Sequence, residues 1–259
     1  MERNINKMSL KVKLYLYTIV YAKNCSATLQ DARGDSIFIE KGGLFFIERN
    51  LNLKVFLNKI HNTKPYEVYS ISNEILQNLI KVFDNFYGMN AVNNRDGRRI
   101  HDKIFSIKGT ETNIELFNML SKSSDDVYTL VHLLSKVKTL EKLYVSLRVS
   151  GSNFFTDKVR GVIEHDLSKK WRLSSVSDEL NISEVAVRKK LEGEGVTFNQ
   201  LLLDVRMKHS ANLILNCDHH INKVASIVGI SSVSYFIKIF SRYYGVTPKQ
   251  FYIYHKSSK

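Results

Sequence analysis

Two stretches in the C-terminal half of the chain are versions of one another. Val176-Ser177 … Leu180-Asn181-Ile182-Ser183 is matched by Val224-Ala225 … Val228-Gly229-Ile230-Ser231 at an offset of 48 residues. Each copy has the spacing of an amphipathic helix that meets a tight turn, after which a second helix starts behind a capping serine. Asn181 and Gly229 stand where the turn calls for a left-handed backbone, and these two residue types accept it best. Such a unit is built as a helix-turn-helix. We place the two units at residues 174–195 and 222–244.

The second helix of each copy has two faces. In the first, Val187 and Leu191 point inward at i, i+4, leaving Val185, Arg188, Lys189 and Glu192 to face out. In the second, Tyr235, Phe236, Ile239 and Phe240 form the side expected to be buried, with Val233, Ser234 and Lys238 outside. Long donors such as Arg188 and Lys189 reach guanine edges or phosphates, and Val185, Val233 and Ser234 suit thymine methyls or adenine edges. Between the copies, Phe198 to Asn216 reads as one helix with Leu201, Leu202, Val205, Ala211 and Leu215 on its apolar side. A helix of that length spans about 30 Å. Successive major-groove faces of duplex DNA lie about 34 Å apart. One chain is therefore long enough to offer two recognition helices to neighbouring turns, with some bending of the duplex.

Composition agrees with an anionic partner and removes other classes. The chain of 259 residues carries 38 Lys plus Arg against 25 Asp plus Glu, a formal charge of +13. The excess is shared: residues up to Phe155 hold 22 basic and 15 acidic side chains, the rest 16 and 10. At 44% apolar residues the chain can bury a sizeable core. No apolar run is long enough to cross a bilayer and the N-terminus lacks a signal-peptide core, so the expected location is the cytoplasm, with no membrane partner. Cys25 and Cys217 lie far apart without CxxC spacing, which excludes a disulfide scaffold or a cysteine zinc site. No phosphate loop, dinucleotide fingerprint, HExxH or nucleophile elbow occurs. His61, His101 and His132 are isolated, and His219-His220 has no ligand set around it. No enzyme, catalytic residue, metal or cofactor is expected.

The N-terminal half reads differently. Val12, Leu14, Leu16 and Thr18 alternate with Lys13, Tyr15, Tyr17 and Ile19, and further strand-like runs follow at 36–40, 44–47, 53–57 and 66–71. Short strands at this spacing suggest a small antiparallel barrel or sandwich. From Asn73 the period becomes helical through Ile75, Leu76, Leu79, Ile80, Phe83 and Phe86 up to Gly88. Residues 91–99 read as a surface loop, and 114–120 and 127–137 as helices, with Ser124-Asp125-Asp126 supplying cap and first-turn carboxylates to the latter. Leu130, Val131, Leu134 and Val137 form a stripe that suits either a core or a partner helix. Ser150-Gly151-Ser152-Asn153 is the best boundary, dividing the chain into 1–153 and 154–259. The fold class is α+β, a strand-rich N-terminal part followed by an all-α part.

At Gly229-Ile230-Ser231-Ser232-Val233-Ser234-Tyr235-Phe236, Phe240, Tyr244-Gly245-Val246-Thr247-Pro248 and Phe251 the sequence resembles the AraC/XylS family of bacterial transcription regulators. Ile230 stands where that family usually has an aromatic, and Ile253 near where an arginine often follows the last aromatic. Tyr21 to Cys25, Phe46-Ile47-Glu48-Arg49, Phe86-Tyr87-Gly88-Met89 and Phe154 to Arg160 extend the likeness over nearly the whole chain, toward the enteric virulence regulators of the Rns, AggR, RegA and ToxT type. The resemblance implies an N-terminal cupin-like barrel with helices, for effector sensing or dimerisation, and a seven-helix DNA-binding domain. It implies activation of virulence genes, adhesin operons included, from A/T-rich promoters together with RNA polymerase, on the nucleoid. Carried over, the base-contacting positions are Val185, Arg188 and Lys189, then Val233, Ser234 and Lys238, with Lys249 meeting a phosphate at the start of the last helix.

Regulators of this subgroup answer to small effectors such as fatty acids or bicarbonate. A barrel lined by Leu14, Leu16, Phe38, Phe45 and Phe56, with Lys11, Lys13, Lys23, Arg49 and Lys54 nearby, is the corresponding expectation here. A buried anion needs a cation and hydrogen-bond donors. The candidate set is Lys13, Tyr15, Tyr17, Arg49 and Tyr69. The effector would act by population shift between forms aligned and misaligned for DNA. A homodimer through 130–137 or neighbouring helices is allowed, as is a monomer. The rival reading is an interaction protein, an anti-activator that binds related regulators.

Overall fold

Among the described residues, eight strands and four helices come first, and seven helices follow them. The computed structural model describes residues 7–60, 63–87, 97–122, 126–216 and 220–255. One compact unit ends at Ser152 and the next begins at Asn153. In the first unit β1 (Lys7–Leu14), β2 (Tyr17–Tyr21), β3 (Cys25–Gln30), β4 (Ser36–Ile39), β5 (Leu44–Ile47), β6 (Leu51–Lys59), β7 (Glu67–Ile71) and β8 (Ile104–Ile107) form two antiparallel sheets, ordered β1-β6-β3-β4 and β7-β2-β5-β8. The helices are α1 (Asn73–Tyr87), α2 (Glu111–Lys122), α3 (Val127–Leu134) and α4 (Leu140–Ser150).

The two sheets are covered to different extents, and their sequences show why. β5 is Leu-Phe-Phe-Ile, buried at every position. Leu44 and Phe46 join Tyr17, Ile19 and Phe105 in the core under the helices, while Phe45 and Ile47 are buried on the opposite side. A strand covered on both faces has no polar position to offer, hence the unbroken apolar run. The other sheet alternates. Leu10, Ala27, Leu29, Leu53 and Leu57 are buried, whereas the intervening Lys11, Lys54 and Phe56 are exposed.

The expected single strand around Val12–Ile19 is two strands. The chain leaves one sheet after Leu14 and enters the other at Tyr17, and the alternation runs through this change of sheet. β3, β8 and α4 were not expected. β3 turns Cys25, Ala27 and Leu29 inward, side chains too small for a strong apolar alternation. Phe38 and Phe56, expected as barrel lining, instead stand outside at 61% and 40% exposure. The reason is register: both pair with Thr28 on the outer face of β3.

Helix α1 buries Ile75, Leu76, Leu79, Ile80 and Phe83 as its periodicity predicts, whereas Phe86, expected in the same stripe, is exposed in the last turn. Asp126 caps α3, its carboxylate accepting from the Tyr128 and Thr129 amides, and the Thr129 bonds hold that carboxyl below its ordinary range. The stripe Leu130, Leu134 and Val137 is buried with Leu133, and Val131 packs against the same core. Burial of this kind contributes about 1.5–3 kcal/mol per large side chain, and it takes the stripe away from any partner helix. The expected loop at 91–99 lies outside the described residues except for its last three positions. Among the described residues no helix is long and apolar enough to cross a membrane.

The second unit holds α5 (Phe155–His165), α6 (Leu173–Leu180), α7 (Glu184–Gly193), α8 (Phe198–Asn216), α9 (Ile221–Ile227), α10 (Val233–Tyr244) and α11 (Pro248–His255). The long α8 touches α5 on one side and α9 and α11 on others. Its buried residues are therefore Leu201, Val205, Met207, Ala211 and Ile214 together with Asp204 and Ser210. Leu202 is only half-buried and Leu215 is exposed, contrary to a one-stripe reading. A helix packed on several sides does not show one apolar face.

Candidate nucleic-acid interface

The first helix-turn-helix is α6 and α7. α6 stops at Asn181, whose φ of 52° and ψ of 44° are left-handed, and the Ile182 amide donates back to the Ser177 carbonyl at 3.1 Å. Asparagine tolerates this backbone better than other side-chain-bearing residues. Ser183 then caps α7, its hydroxyl accepting from the Ala186 amide at 3.2 Å. Val187 and Leu191 are fully buried, which fixes the rotation of α7. Val185 (57% exposed), Arg188, Lys189 and Glu192 consequently share the outer side. At the far end Glu194 accepts from the Phe155 and Thr156 amides, tying the α7 end to the start of α5.

The second unit, α9 and α10, repeats the turn. Gly229 has φ of 71° and the Ile230 amide donates to the Ala225 carbonyl at 2.9 Å. Here glycine is required twice over, since an added Cβ would lie 2.5 Å from the Leu167 carbonyl oxygen and 3.0 Å from that of Ser168. The cap differs from the sequence repeat. Ser232, not Ser231, accepts from the Tyr235 amide at 3.3 Å and starts α10. Phe236 and Phe240 are fully buried, and Phe240 packs edge-on to Phe251 with centroids 5.4 Å apart. Tyr235 was expected inside and is 58% exposed. Ser234, Ile237, Lys238 and Arg242 are also exposed, and Val233 is half-buried.

Both motifs are braced from behind. The Tyr244 hydroxyl donates to the Met207 carbonyl on α8 at 3.1 Å. Arg206 on the same helix donates to the Lys169 carbonyl at 3.0 Å, and the Trp171 indole to that of Asp166 at 2.7 Å, fixing the loop against which Gly229 sits. Thr247 and Gln250 cap α11 reciprocally, the Gln250 side chain accepting from the Thr247 amide at 2.9 Å and the Thr247 hydroxyl from the Gln250 amide at 3.3 Å. Pro248 follows the cap, where its missing N–H costs nothing, and Lys249 is exposed on the first turn.

Comparison with known proteins agrees with this geometry. A family model described as a helix-turn-helix domain matches residues 176–252. The virulence regulon transcriptional activator VirF of Shigella flexneri is 41% identical over 254 residues, 97% of each chain. The transcriptional activator CfaD of Escherichia coli is 36% identical over 248 residues, covering 95% of this chain and 93% of the relative. The chain belongs to the AraC/XylS family of transcription regulators. The fold of this regulator is similar to that of ToxT from Vibrio cholerae in its unsaturated fatty acid-bound structure, with a TM-score of 0.64 at 20% identity over 97% of this chain and 95% of the other. Its relatives are named as transcription regulators, and it is not an enzyme. Among the described residues no group of His, Cys, Asp and Glu is arranged to hold a metal ion; Cys217 and His219 lie outside them.

The five effector candidates of the regulator are spread out. Lys13 lies with its ammonium 5.2 Å from the centre of the Tyr15 ring, where β1 hands over to β2. Tyr17 and Tyr69 lie on the helix-facing side of their sheet, with Tyr17 fully buried beside Ser146 and Glu48, and burial pushes its phenol far above the usual range. Arg49 is buried and donates to the Asn73 side chain and the Ser150 carbonyl, both at 3.1 Å, which ties the end of β5 to α1 and α4. Glu48 accepts from the two terminal guanidinium nitrogens of Arg98, at 3.1 and 2.5 Å. Lys59, absent from the expected set, is a cation buried at the end of β6, and burial pulls its ammonium below its ordinary range. Its signal was a lysine at an inward position of an alternating strand.

Proposed function

We propose that this regulator is a sequence-specific DNA-binding activator of virulence genes, adhesin operons among them, working with RNA polymerase at A/T-rich promoters on the nucleoid, in the cytoplasm. The observation that carries the reading is the pair of capped helices, each rotated by two buried apolar residues so that a defined set of side chains faces out. In α7 that set is Val185, Arg188 and Lys189. In α10 it is Val233, Ser234 and Lys238, and counting from the caps adds Ile237 at the position of Arg188. Arginine there forks to guanine, and isoleucine there meets a thymine methyl. Lys249 contacts a phosphate. Residues 154–259 are the DNA-binding part and 1–153 the sensing part, where a fatty acid or bicarbonate shifts the population competent for DNA. The fatty acid seen in the ToxT structure supports that class of effector. The anti-activator reading is not favoured, because the stripe it would use, Leu130 to Val137, is core. Any homodimer must use another surface.

The test is titration of a labelled promoter duplex with the full chain, across salt and with decanoate or bicarbonate added. Binding is expected to fall steeply with salt, to weaken about tenfold or more in Arg188→Ala and in Lys238→Ala, and to respond to one of the two anions. Unchanged affinity in both variants sinks the recognition-helix assignment, and indifference to both anions sinks the effector.

A further inference from the structure

The outer face of the sheet β1-β6-β3-β4 has a composition that the duplex-reading function leaves unused. None of these four strands contains an acidic residue. Across its middle runs one row set by register: Ser9 pairs with Phe56, Phe56 with Thr28, and Thr28 with Phe38. The two phenylalanines are therefore two strands apart, about 9–10 Å, and both are exposed, as are Lys11 and Lys54 in the next row. The Lys54 ammonium sits 4.9 Å from the centre of the Phe56 ring. Ser9, Thr28 and Asn58 join the two rings in lining a hollow of about 510 Å³. Phe38 also borders a second hollow of about 1170 Å³, lined by Lys41, Lys108, Lys136 and Lys138 with Glu40 as its one acid.

We infer that this face is a platform for single-stranded RNA, separate from the two helix-turn-helix units. Exposed rings on a sheet offer stacking surfaces to unpaired bases, and lysines beside them neutralise the phosphates between those bases. A duplex keeps its bases stacked on each other and has nothing to lay on Phe38 or Phe56. The Thr28 hydroxyl between the rings, with the Ser9 hydroxyl and the Asn58 amide beside Phe56, matches a ribose 2′-hydroxyl, which selects RNA over a DNA strand. The lysine-lined hollow beyond Phe38 continues the track for the backbone. The share of positive charge in the N-terminal half thereby acquires a ligand of its own, whatever the effector proves to be.

The experiment titrates the full chain into labelled strands of about 12 nucleotides, one RNA and one DNA of the same sequence, with a promoter duplex in parallel. The RNA is expected to bind more tightly than the DNA strand. Phe38→Ser with Phe56→Ser should weaken RNA about tenfold or more and leave duplex affinity unchanged, while Arg188→Ala does the reverse. Should the serine pair unfold, Lys11→Ala with Lys54→Ala serves instead, lowering the salt slope for RNA by about 1.4. No RNA binding at low salt, preference for the DNA strand, or RNA affinity that tracks Arg188 rather than the sheet variants would each overturn the inference, without touching the duplex reading.

Discussion

The two helix-turn-helix units share a turn but present different chemistry. In both, a left-handed residue ends the first helix and the next amide folds back onto it, at 3.1 Å in one and 2.9 Å in the other. From that residue to the serine cap there are two steps in the first unit, Asn181 to Ser183, and three in the second, Gly229 to Ser232. The extra residue moves the outward set of α10 by one. Counted from the caps, Val185 answers to Ser234, Lys189 to Lys238, and Arg188 to Ile237. The first head carries two adjacent cations and the second one cation beside an exposed isoleucine. A repeat in sequence thus preserves the turn, while the cap decides which side chains read.

The turns themselves differ most in what they tolerate. Gly229→Ala adds a left-handed alanine and drives its Cβ against backbone oxygens of Leu167 and Ser168 that cannot swing away. We expect a loss of about 3 kcal/mol or more. Asn181→Ala meets only the conformational cost, about 1 kcal/mol. The single tryptophan, Trp171, is buried in the helical unit, so urea unfolding followed by its fluorescence reads both variants in the full chain. Equal losses would mean that the two turns are equivalent after all.

The caps give a smaller and sharper comparison. Ser183→Ala and Ser232→Ala should each cost about 1 kcal/mol in the same assay. Ser231→Ala, the residue that the sequence repeat aligns with Ser183, should stay within about 0.5 kcal/mol. A larger loss at Ser231 than at Ser232 would restore the repeat's own register and return Ile237 to the flank.

The helical unit was legible because its information is local. Apolar pairs at i, i+4 such as Val187 and Leu191, a turn residue and a serine sit within one short segment, and the structure places Val185, Arg188 and Lys189 outside as expected. The one-residue shift of the second cap was not legible, since Ser231 and Ser232 are adjacent and only backbone geometry chooses between them. In the N-terminal unit the pattern of Phe38 and Phe56 names no side. Which face of a strand is covered depends on partners distant in sequence, here Thr28 on β3, a strand too poor in large apolar residues to announce itself. Arg49 and Tyr17 likewise look like ligand groups in sequence, but the Arg49 partners Asn73 and Ser150, and Ser146 beside Tyr17, come from helices far along the chain.

Two unlike heads on one chain make a prediction that footprinting reads directly. On a promoter duplex the full chain should protect two major-groove segments about 10 base pairs apart on one face. Arg188→Ala should erase one of them and Ile237→Ala with Lys238→Ala the other. A single protected segment, or loss of the same segment in both variants, would contradict two independent reading heads.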